Sequence, residues 1–151
     1  MKKFNFKNLF LFILFFLIHV VPYFFIERDL AFYNSLNKIN IPSIVFIIVW
    51  TILYSLMSIY LVNTYQDLLN KKRLLIYLLI NYFSNILYVL LFFQFKLLFW
   101  PFVMCCTSFI SILFVWMETI LFNKKLSYLI IPNVLWSLFA CVLSGYVFLF
   151  N

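Results

Sequence analysis

Five apolar segments constrain this 151-residue chain more than any other feature of its sequence. They fall at about 9–25, 43–65, 74–95, 97–122 and 126–150, and short polar connections separate them. A helix needs about 20 apolar residues to cross the hydrocarbon layer, and its backbone polar groups must be satisfied within the segment. The sequence therefore predicts an all-α integral membrane protein, a single domain built as a bundle of five transmembrane helices.

Composition agrees with a membrane class and excludes a soluble domain. Hydrophobic residues make up 68% of the chain and charged residues only 10%, which leaves too few charges to cover a soluble surface. The first apolar segment follows a basic start, MKKFNFKN, which is also typical of a secretion signal. The residues after it, PYFFIERD, contain no small-x-small cleavage site, which favours a retained first helix.

The basic residues predict an orientation. With five spans, one side of the membrane carries eight of them: Lys2, Lys3, Lys7, Lys71, Lys72, Arg73, Lys124 and Lys125. The other side carries Arg28, Lys38 and Lys96. Because basic loops stay in the cytoplasm, we expect a cytoplasmic N-terminus and an outside C-terminus, in a bacterial cell membrane. The net charge of +7 is divided among short membrane-flanking clusters, which argues against nucleic-acid binding.

Polar side chains follow one face of two predicted spans. On the third span these are Asn81, Ser84, Asn85 and Tyr88, and on the fifth Asn133, Trp136, Ser137, Ala140 and Ser144. Such stripes face a cavity or the interior of the bundle. Small polar residues also join membrane helices through hydrogen bonds, so a ligand cavity and a helix–helix seam both remain open.

Metal and cofactor chemistry finds little support in the sequence. The three cysteines, Cys105, Cys106 and Cys141, fall inside predicted spans and are expected to be packing residues. No zinc-ligand cluster, phosphate loop or hydrolase triad is present, so we expect no metal and no required cofactor. His19 is a conceivable haem ligand, but a neutral imidazole hydrogen-bonded within the bundle is the expected state.

Two segments resemble motifs of a known family. VWTILYSLMSIYL, with Trp50 and Tyr54 four residues apart, resembles the second helix of the TspO/MBR family of translocator proteins and tryptophan-rich sensory proteins. LSYLIIPNVLWSLFACVLSGYVFLFN resembles the fifth helix of that family, which includes the benzodiazepine-receptor-like members. AFYNSLNK with Pro42 is similar to the end of the family's first loop. The first loop lacks the Trp that is usual there, and Ser84 stands where the family often has Trp.

The resemblance implies a pocket in the half of the bundle under the first loop, for a flat, largely apolar ligand. The implied ligands are tetrapyrroles such as protoporphyrin and haem, or sterol-like molecules. The ligand-binding residues are expected to be Trp50, Tyr54, Asn81, Asn85, Tyr88, Trp136, Phe139 and Ala140. Residues 26–42 are expected to form a lid, with Tyr33, Leu36, Lys38 and Pro42 as its lid residues. Arg28 or Lys38 would meet the carboxylates of a porphyrin.

Three functions are consistent with the sequence. The first is tetrapyrrole binding for porphyrin handling, transport or stress sensing. The second is light- and oxygen-dependent porphyrin breakdown, with Trp50 and Trp136 as the catalytic residues. The third is a structural or interaction subunit of a membrane complex, in which the polar stripes are helix seams. The expected partners are the lipid bilayer and a porphyrin, haem or sterol-like molecule, and a homodimer is also open.

Overall fold

The computed structural model describes residues 5–68 and 70–151, and helices form nearly all of this part of the chain. The α-helices are α1 (Phe6–Val20), α2 (Leu30–Ser35), α3 (Ser43–Leu68), α4 (Lys72–Val89), α5 (Phe99–Phe122), α6 (Lys124–Ser127) and α7 (Ile131–Phe150). A 3₁₀ turn extends α1 to Phe24 and a π turn extends α4 to Gln94. In the described residues, five helical stretches are long and apolar enough to cross a membrane, and no strand occurs. The predicted five-span helical membrane protein is confirmed.

Side-chain caps fix two of the helix starts. The Asn5 side chain accepts a hydrogen bond from the Asn8 backbone N–H at 2.9 Å, so α1 begins at Phe6, ahead of the predicted position 9. Asp29 caps α2 in the same way by accepting from the Phe32 N–H at 2.9 Å. The segment that was predicted only as a loop, 26–42, therefore contains a short helix.

The spans are arranged as a pair and a layer. α1 packs along α3, whereas α5 packs between α4 and α7. Gly145 lets α5 and α7 approach closely, because a methyl group added there would lie 3.1 Å from a ring carbon of Phe102. The backbone of α3 comes close to α4 at only a few points. Large side chains therefore fill the space between the pair and the layer.

The end of the bundle opposite the first loop is tightly packed. Its buried cluster consists of Met57, Tyr60, Leu68, Leu74, Ile112, Val115, Leu126 and Ile130. Thr119 donates its hydroxyl hydrogen to the Val115 carbonyl at 2.6 Å, so the Tyr60 hydroxyl must donate to Thr119 Oγ1 at 2.9 Å. This core anchors the helices at one end, and the half nearer the first loop is where the cavity lies.

The exposed surface of the bundle is apolar. Phe6, Ile47, Leu121, Leu135 and Leu149 are among the large hydrophobic side chains that are more than half exposed. A monomeric soluble protein rarely shows apolar surface on this scale. The chain is therefore an integral, multi-pass membrane protein in contact with the lipid bilayer. Of the cytoplasmic residues predicted from charge, Lys2 and Lys3 lie outside the described residues.

Candidate functional site

A small cavity, here called the aromatic cavity, lies between the α1–α3 pair and helices α4 and α7 of the layer. Its walls are formed by His19, Tyr23, Trp50, Tyr54, Met57, Asn81, Tyr82, Asn85 and Asn133. Four of these, Trp50, Tyr54, Asn81 and Asn85, are predicted ligand-binding residues. The structure thus brings two predicted residues of the second span and two of the third together around one cavity, whereas Tyr88 of the third span does not line it.

Aromatic rings in contact make up one side of the aromatic cavity. The ring centroids of Trp50 and Tyr54 lie 5.3 Å apart, as expected for residues one helical turn apart on the same face. Tyr23 stacks on Tyr54 at 6.0 Å, and His19 lies 5.5 Å from Tyr54. Trp50 and Tyr54 therefore face the inside of the bundle, where flat apolar rings find stacking partners.

His19 is held by its own helix. Its Nδ1 lies 2.7 Å from the Phe15 carbonyl oxygen, which only accepts, so Nδ1 carries the hydrogen and donates it. In the neutral imidazole, Nε2 is then the acceptor. The ring also packs edge-on against Tyr82, with centroids 5.7 Å apart. His19 is therefore hydrogen-bonded and packed within the bundle, in agreement with the expected structural role of its imidazole.

Replacing His19 by Ala is expected to leave the Soret band of added haem in place. The reason is that the ring is packed between Tyr54 and Tyr82 beside a cavity of about 10 Å³, so bringing a haem iron to Nε2 would break these ring contacts. The measurement is a haem titration of the wild type and the variant in detergent. Loss of the band in the variant alone would make His19 an axial ligand.

The polar face of the third span serves partly as a helix seam. Asn81 is buried, and its amide nitrogen donates to Ser108 Oγ at 2.9 Å and to the Ser108 carbonyl at 3.0 Å. The Asn85 amide nitrogen donates to the Asn81 carbonyl at 2.9 Å. Asn81 thus joins α4 to α5, as the seam interpretation of the polar stripe predicts, while it also lines the aromatic cavity.

The fifth-span residues lie beside the aromatic cavity rather than around it. Asn133 reaches its wall, and Trp136, one turn later, packs against Phe46 with ring centroids 5.9 Å apart. Trp136 Nε1 is buried and has no hydrogen-bond partner among the described residues. Ala140 is half-buried, and Phe139, in contact with Trp136 at 5.4 Å, has 41% of its surface exposed on the outside of the bundle.

Tyr88 belongs to a layer between the aromatic cavity and the first loop. Its ring stacks on Phe92, with centroids 5.9 Å apart and planes 4° from parallel. Phe32 and Tyr33 of α2 contact the same Phe92 ring at 5.7 and 6.3 Å. Tyr88 is therefore joined through Phe92 to the predicted lid.

The first loop is fastened at both of its ends. Near its start, Asp29 Oδ2 lies 2.8 Å from the Lys96 ammonium, and this pairing holds the pKa of the Asp29 carboxyl below its usual range. Near its end, the Asn37 N–H donates to Asn151 Oδ1 at 2.8 Å, and the Asn151 amide nitrogen donates to the Asn37 carbonyl at 3.0 Å. The Asn37 amide also donates to the Phe150 carbonyl at 3.1 Å. These contacts tie the loop to the ends of the third and fifth spans.

The four predicted lid residues have different surroundings. Tyr33 packs on the π turn, and the Lys38 ammonium lies 4.6 Å from the centre of the Tyr33 ring. Leu36 is half-buried, whereas Pro42 is exposed and accepts a hydrogen bond from the Val45 N–H at 2.9 Å at the start of α3. Tyr33 therefore contacts the third span directly.

The aromatic cavity is closed. Its volume is about 10 Å³, which is room for about one water molecule, whereas sites for drug-sized ligands measure roughly 300–1,000 Å³. A tetrapyrrole would enter only if the rings between α3 and α4 and the first loop moved apart. In this structure the first loop is attached to the bundle and the aromatic cavity is too small for a tetrapyrrole, and we call this combination the closed state.

The predicted ligand-binding set lacked five residues of the cavity wall. Asn133 was predicted to face inward on the fifth-span stripe, and the spacing of four between His19 and Tyr23 was a usable signal, but none of the three was among the predicted ligand-binding residues. Met57 and Tyr82 gave no such signal. Their place depends on how the helices are rotated against each other.

These features define a small helical membrane protein of five spans with an aromatic cavity in the half nearest its first loop. A model of the TspO/MBR family matches residues 9–149, nearly the whole chain. The chain belongs to the TspO/MBR family, as the resemblance of its second and fifth spans predicted. Comparison with curated proteins gives no significant match.

Proposed function

We propose that this protein binds a tetrapyrrole such as protoporphyrin or haem, or another flat apolar ligand, for porphyrin handling, transport or stress sensing. The observation that carries the proposal is the aromatic cavity, where Trp50, Tyr54 and Tyr23 present contacting rings beside the amides of Asn85 and Asn133. A flat ring system is recognised by such stacking faces with a few polar groups around them.

The unpartnered indole of Trp136 supports the same proposal. A buried N–H without an acceptor costs roughly 1–3 kcal/mol, and an acceptor on a bound ligand would recover that cost. Trp136 lies one helical turn from Asn133 in the cavity wall, so an opened cavity would extend toward it. Arg28 and Lys38 in the first loop supply the positive charges that carboxylates of a porphyrin would need.

An absorbance titration with protoporphyrin in detergent tests the proposal. The wild type should give a saturable shift of the porphyrin spectrum. Tyr54→Ala should weaken binding about tenfold, because it removes the central ring of the stack. Tyr146→Ala is the matched control, since Tyr146 is a partly exposed tyrosine on α7 that packs on Phe150 outside the cavity. No saturable shift, or equal losses in both variants, would contradict the proposal and leave the structural-subunit function.

A second candidate function is light- and oxygen-dependent porphyrin breakdown. The observation that favours it is the contact of the oxidisable Trp50 indole with Tyr54, which stacks in turn on Tyr23. Illumination of the porphyrin complex in air separates the two functions. Loss of porphyrin absorbance faster than in the Trp50→Phe variant would favour breakdown, and equal rates would favour binding alone.

We further propose that the first-loop end of the bundle lies outside a bacterial cell membrane. The basic residues of the two connections near 71–73 and 124–125 support this orientation. Reporter fusions at Asn151 and within 66–73 should report the outside and the cytoplasm, respectively. A cytoplasmic signal from the fusion at Asn151 would reverse the proposed orientation.

A further inference from the structure

A second and larger cavity opens on the protein surface at the start of the first loop. This loop cleft has a volume of about 530 Å³ and is lined by Glu27, Arg28, Asp29, Phe93, Gln94 and Lys96. It is separate from the aromatic cavity, with which it shares none of these residues. Its volume is within the range of small-molecule sites, but its lining is charged rather than apolar. A ligand for this cleft must therefore be polar.

The backbone on the third-span side of the loop cleft departs from regular helix twice. The π turn, Leu90–Gln94, supplies Phe93 and Gln94 to the lining, and Lys96 has a φ of 53°. Left-handed backbone is unfavourable for a residue with a side chain, and π turns are often found at functional sites. Both irregularities occur where the chain brings Lys96 to within 2.8 Å of Asp29.

The Asp29–Lys96 pair shapes the cleft and leaves two other charges available. Asp29 is fully engaged, because one oxygen caps α2 and the other pairs with Lys96. Glu27 and Arg28 are exposed, and neither forms an ion pair with another described residue. The loop cleft thus offers one free carboxylate and one free guanidinium, with a partly exposed ammonium beside them, and its four charges sum to zero. A ligand carrying one anionic and one cationic group matches this arrangement better than a simple anion does.

The loop cleft borders the lipid-facing surface of the bundle. Phe24 and Phe25, immediately before the cleft residues, are 81% and 79% exposed, and Phe95 beside Lys96 is 60% exposed. Exposed phenylalanine rings favour the acyl chains and the charged residues next to them favour water, so this part of the chain lies at the boundary between acyl chains and headgroups. The cleft is therefore at the depth where a phosphate group and an amine of a lipid are found together.

We propose that the loop cleft binds the headgroup of a zwitterionic phospholipid that carries a primary ammonium. Phosphatidylethanolamine is the lipid with this chemistry. The phosphate lies against Arg28 with Lys96 nearby, the ammonium lies against Glu27, and the acyl chains run along the exposed phenylalanines. This inference does not depend on tetrapyrrole binding, because it uses another surface and shares only Arg28 with the porphyrin proposal.

Native mass spectrometry of the delipidated full chain, with single phospholipids of identical acyl chains added back, tests the inference. Phosphatidylethanolamine should be retained about tenfold better than phosphatidylglycerol or phosphatidylcholine, the difference expected for one additional charge-assisted hydrogen bond. Arg28→Gln should reduce retention of all three lipids, since each has a phosphate. Glu27→Gln should remove most of the preference for phosphatidylethanolamine and affect phosphatidylcholine much less, because its quaternary ammonium has no N–H to donate to the carboxylate.

Lys38→Gln is the matched control in the same loop, because the Lys38 ammonium lies over the Tyr33 ring and does not line the cleft. It should retain lipid like the wild type. Equal retention by Arg28→Gln and the wild type, or equal losses in Arg28→Gln and Lys38→Gln, would overturn the inference. Displacement of the lipid by an equal concentration of free glycerophosphoethanolamine would also overturn it, since the site would then recognise a soluble zwitterion.

Discussion

Replacing Trp136 by Phe is expected to weaken protoporphyrin binding about fivefold, or about 1 kcal/mol, while the thermal stability of the protein stays unchanged or rises. In the closed state the indole N–H is buried without an acceptor, so its removal costs the unliganded protein nothing. In the complex the same N–H would meet an acceptor on the ligand. Absorbance titration and thermal unfolding in the same detergent measure the two effects.

The chain offers a matched control for this substitution. Trp116 Nε1 is likewise buried and unpartnered, but Trp116 packs against the core cluster at the opposite end of the bundle. Trp116→Phe should affect stability as Trp136→Phe does and leave binding unchanged. Trp100, which is 53% exposed at the start of α5, is a second control and should change neither property. Equal losses of binding in Trp116→Phe and Trp136→Phe would place the ligand elsewhere.

Two substitutions of Trp50, a conservative one to Phe and a drastic one to Ala, separate ligand binding from porphyrin breakdown. Trp50→Phe keeps a ring that can face Tyr54, so binding should fall only modestly. Light-driven porphyrin breakdown, if the protein performs it, should fall much further, because a Phe ring does not give up an electron as readily as indole. Trp50→Ala should reduce both binding and stability, and because Trp50 is half-buried the cost should be below the roughly 3–5 kcal/mol of a fully buried Trp. Retention of breakdown in Trp50→Phe would exclude this indole from the chemistry.

Releasing the first loop is the second change with a large expected effect. Deletion of 34–40 removes Asn37 and with it the hydrogen bonds to Phe150 and Asn151. We expect porphyrin affinity to fall by about tenfold or more, since several hydrogen bonds and the cover of the site are lost together. The five spans should stay helical, because their packed core lies at the opposite end of the bundle. Circular dichroism and the absorbance titration measure these two outcomes.

A point substitution tests the same contacts while keeping the length of the loop. Asn37→Ala removes one side-chain hydrogen bond to Phe150 and should accelerate both association and dissociation of porphyrin, because the closed loop opens more often. Asn34→Ala is the matched control, as Asn34 is an exposed asparagine in the same loop. Equal rates in the wild type and in Asn37→Ala, or unchanged affinity after the deletion, would show that the loop is not a lid.

The Asp29–Lys96 pair gives the same loop a dependence on pH. Lys96 keeps the pKa of Asp29 below its usual range, so the pair is fully formed above the ordinary carboxyl pKa and is lost as the pH falls through the lowered value. At neutral pH the start of the loop therefore stays fastened, and acid is the condition that releases it.

The number, type and approximate limits of the spans are readable from the sequence, because hydropathy and backbone satisfaction in lipid are local properties of each segment. The same holds for Trp50 with Tyr54, since four residues along a helix always return to the same face. The family was likewise predictable from the sequence, because the resemblance lies in two contiguous segments, those of the second and fifth spans. These predictions needed no knowledge of how one helix packs on another.

Only the tertiary structure decided how the faces combine. Phe139 was expected in the pocket wall but is exposed. Tyr88 lies in the layer beneath the first loop. The aromatic cavity has a volume of only about 10 Å³. The tertiary structure also joins Asn37 to Asn151 across 114 positions of the chain. Helix rotation, helix separation and loop closure are set by contacts between distant segments, and no periodicity within a single segment contains that information.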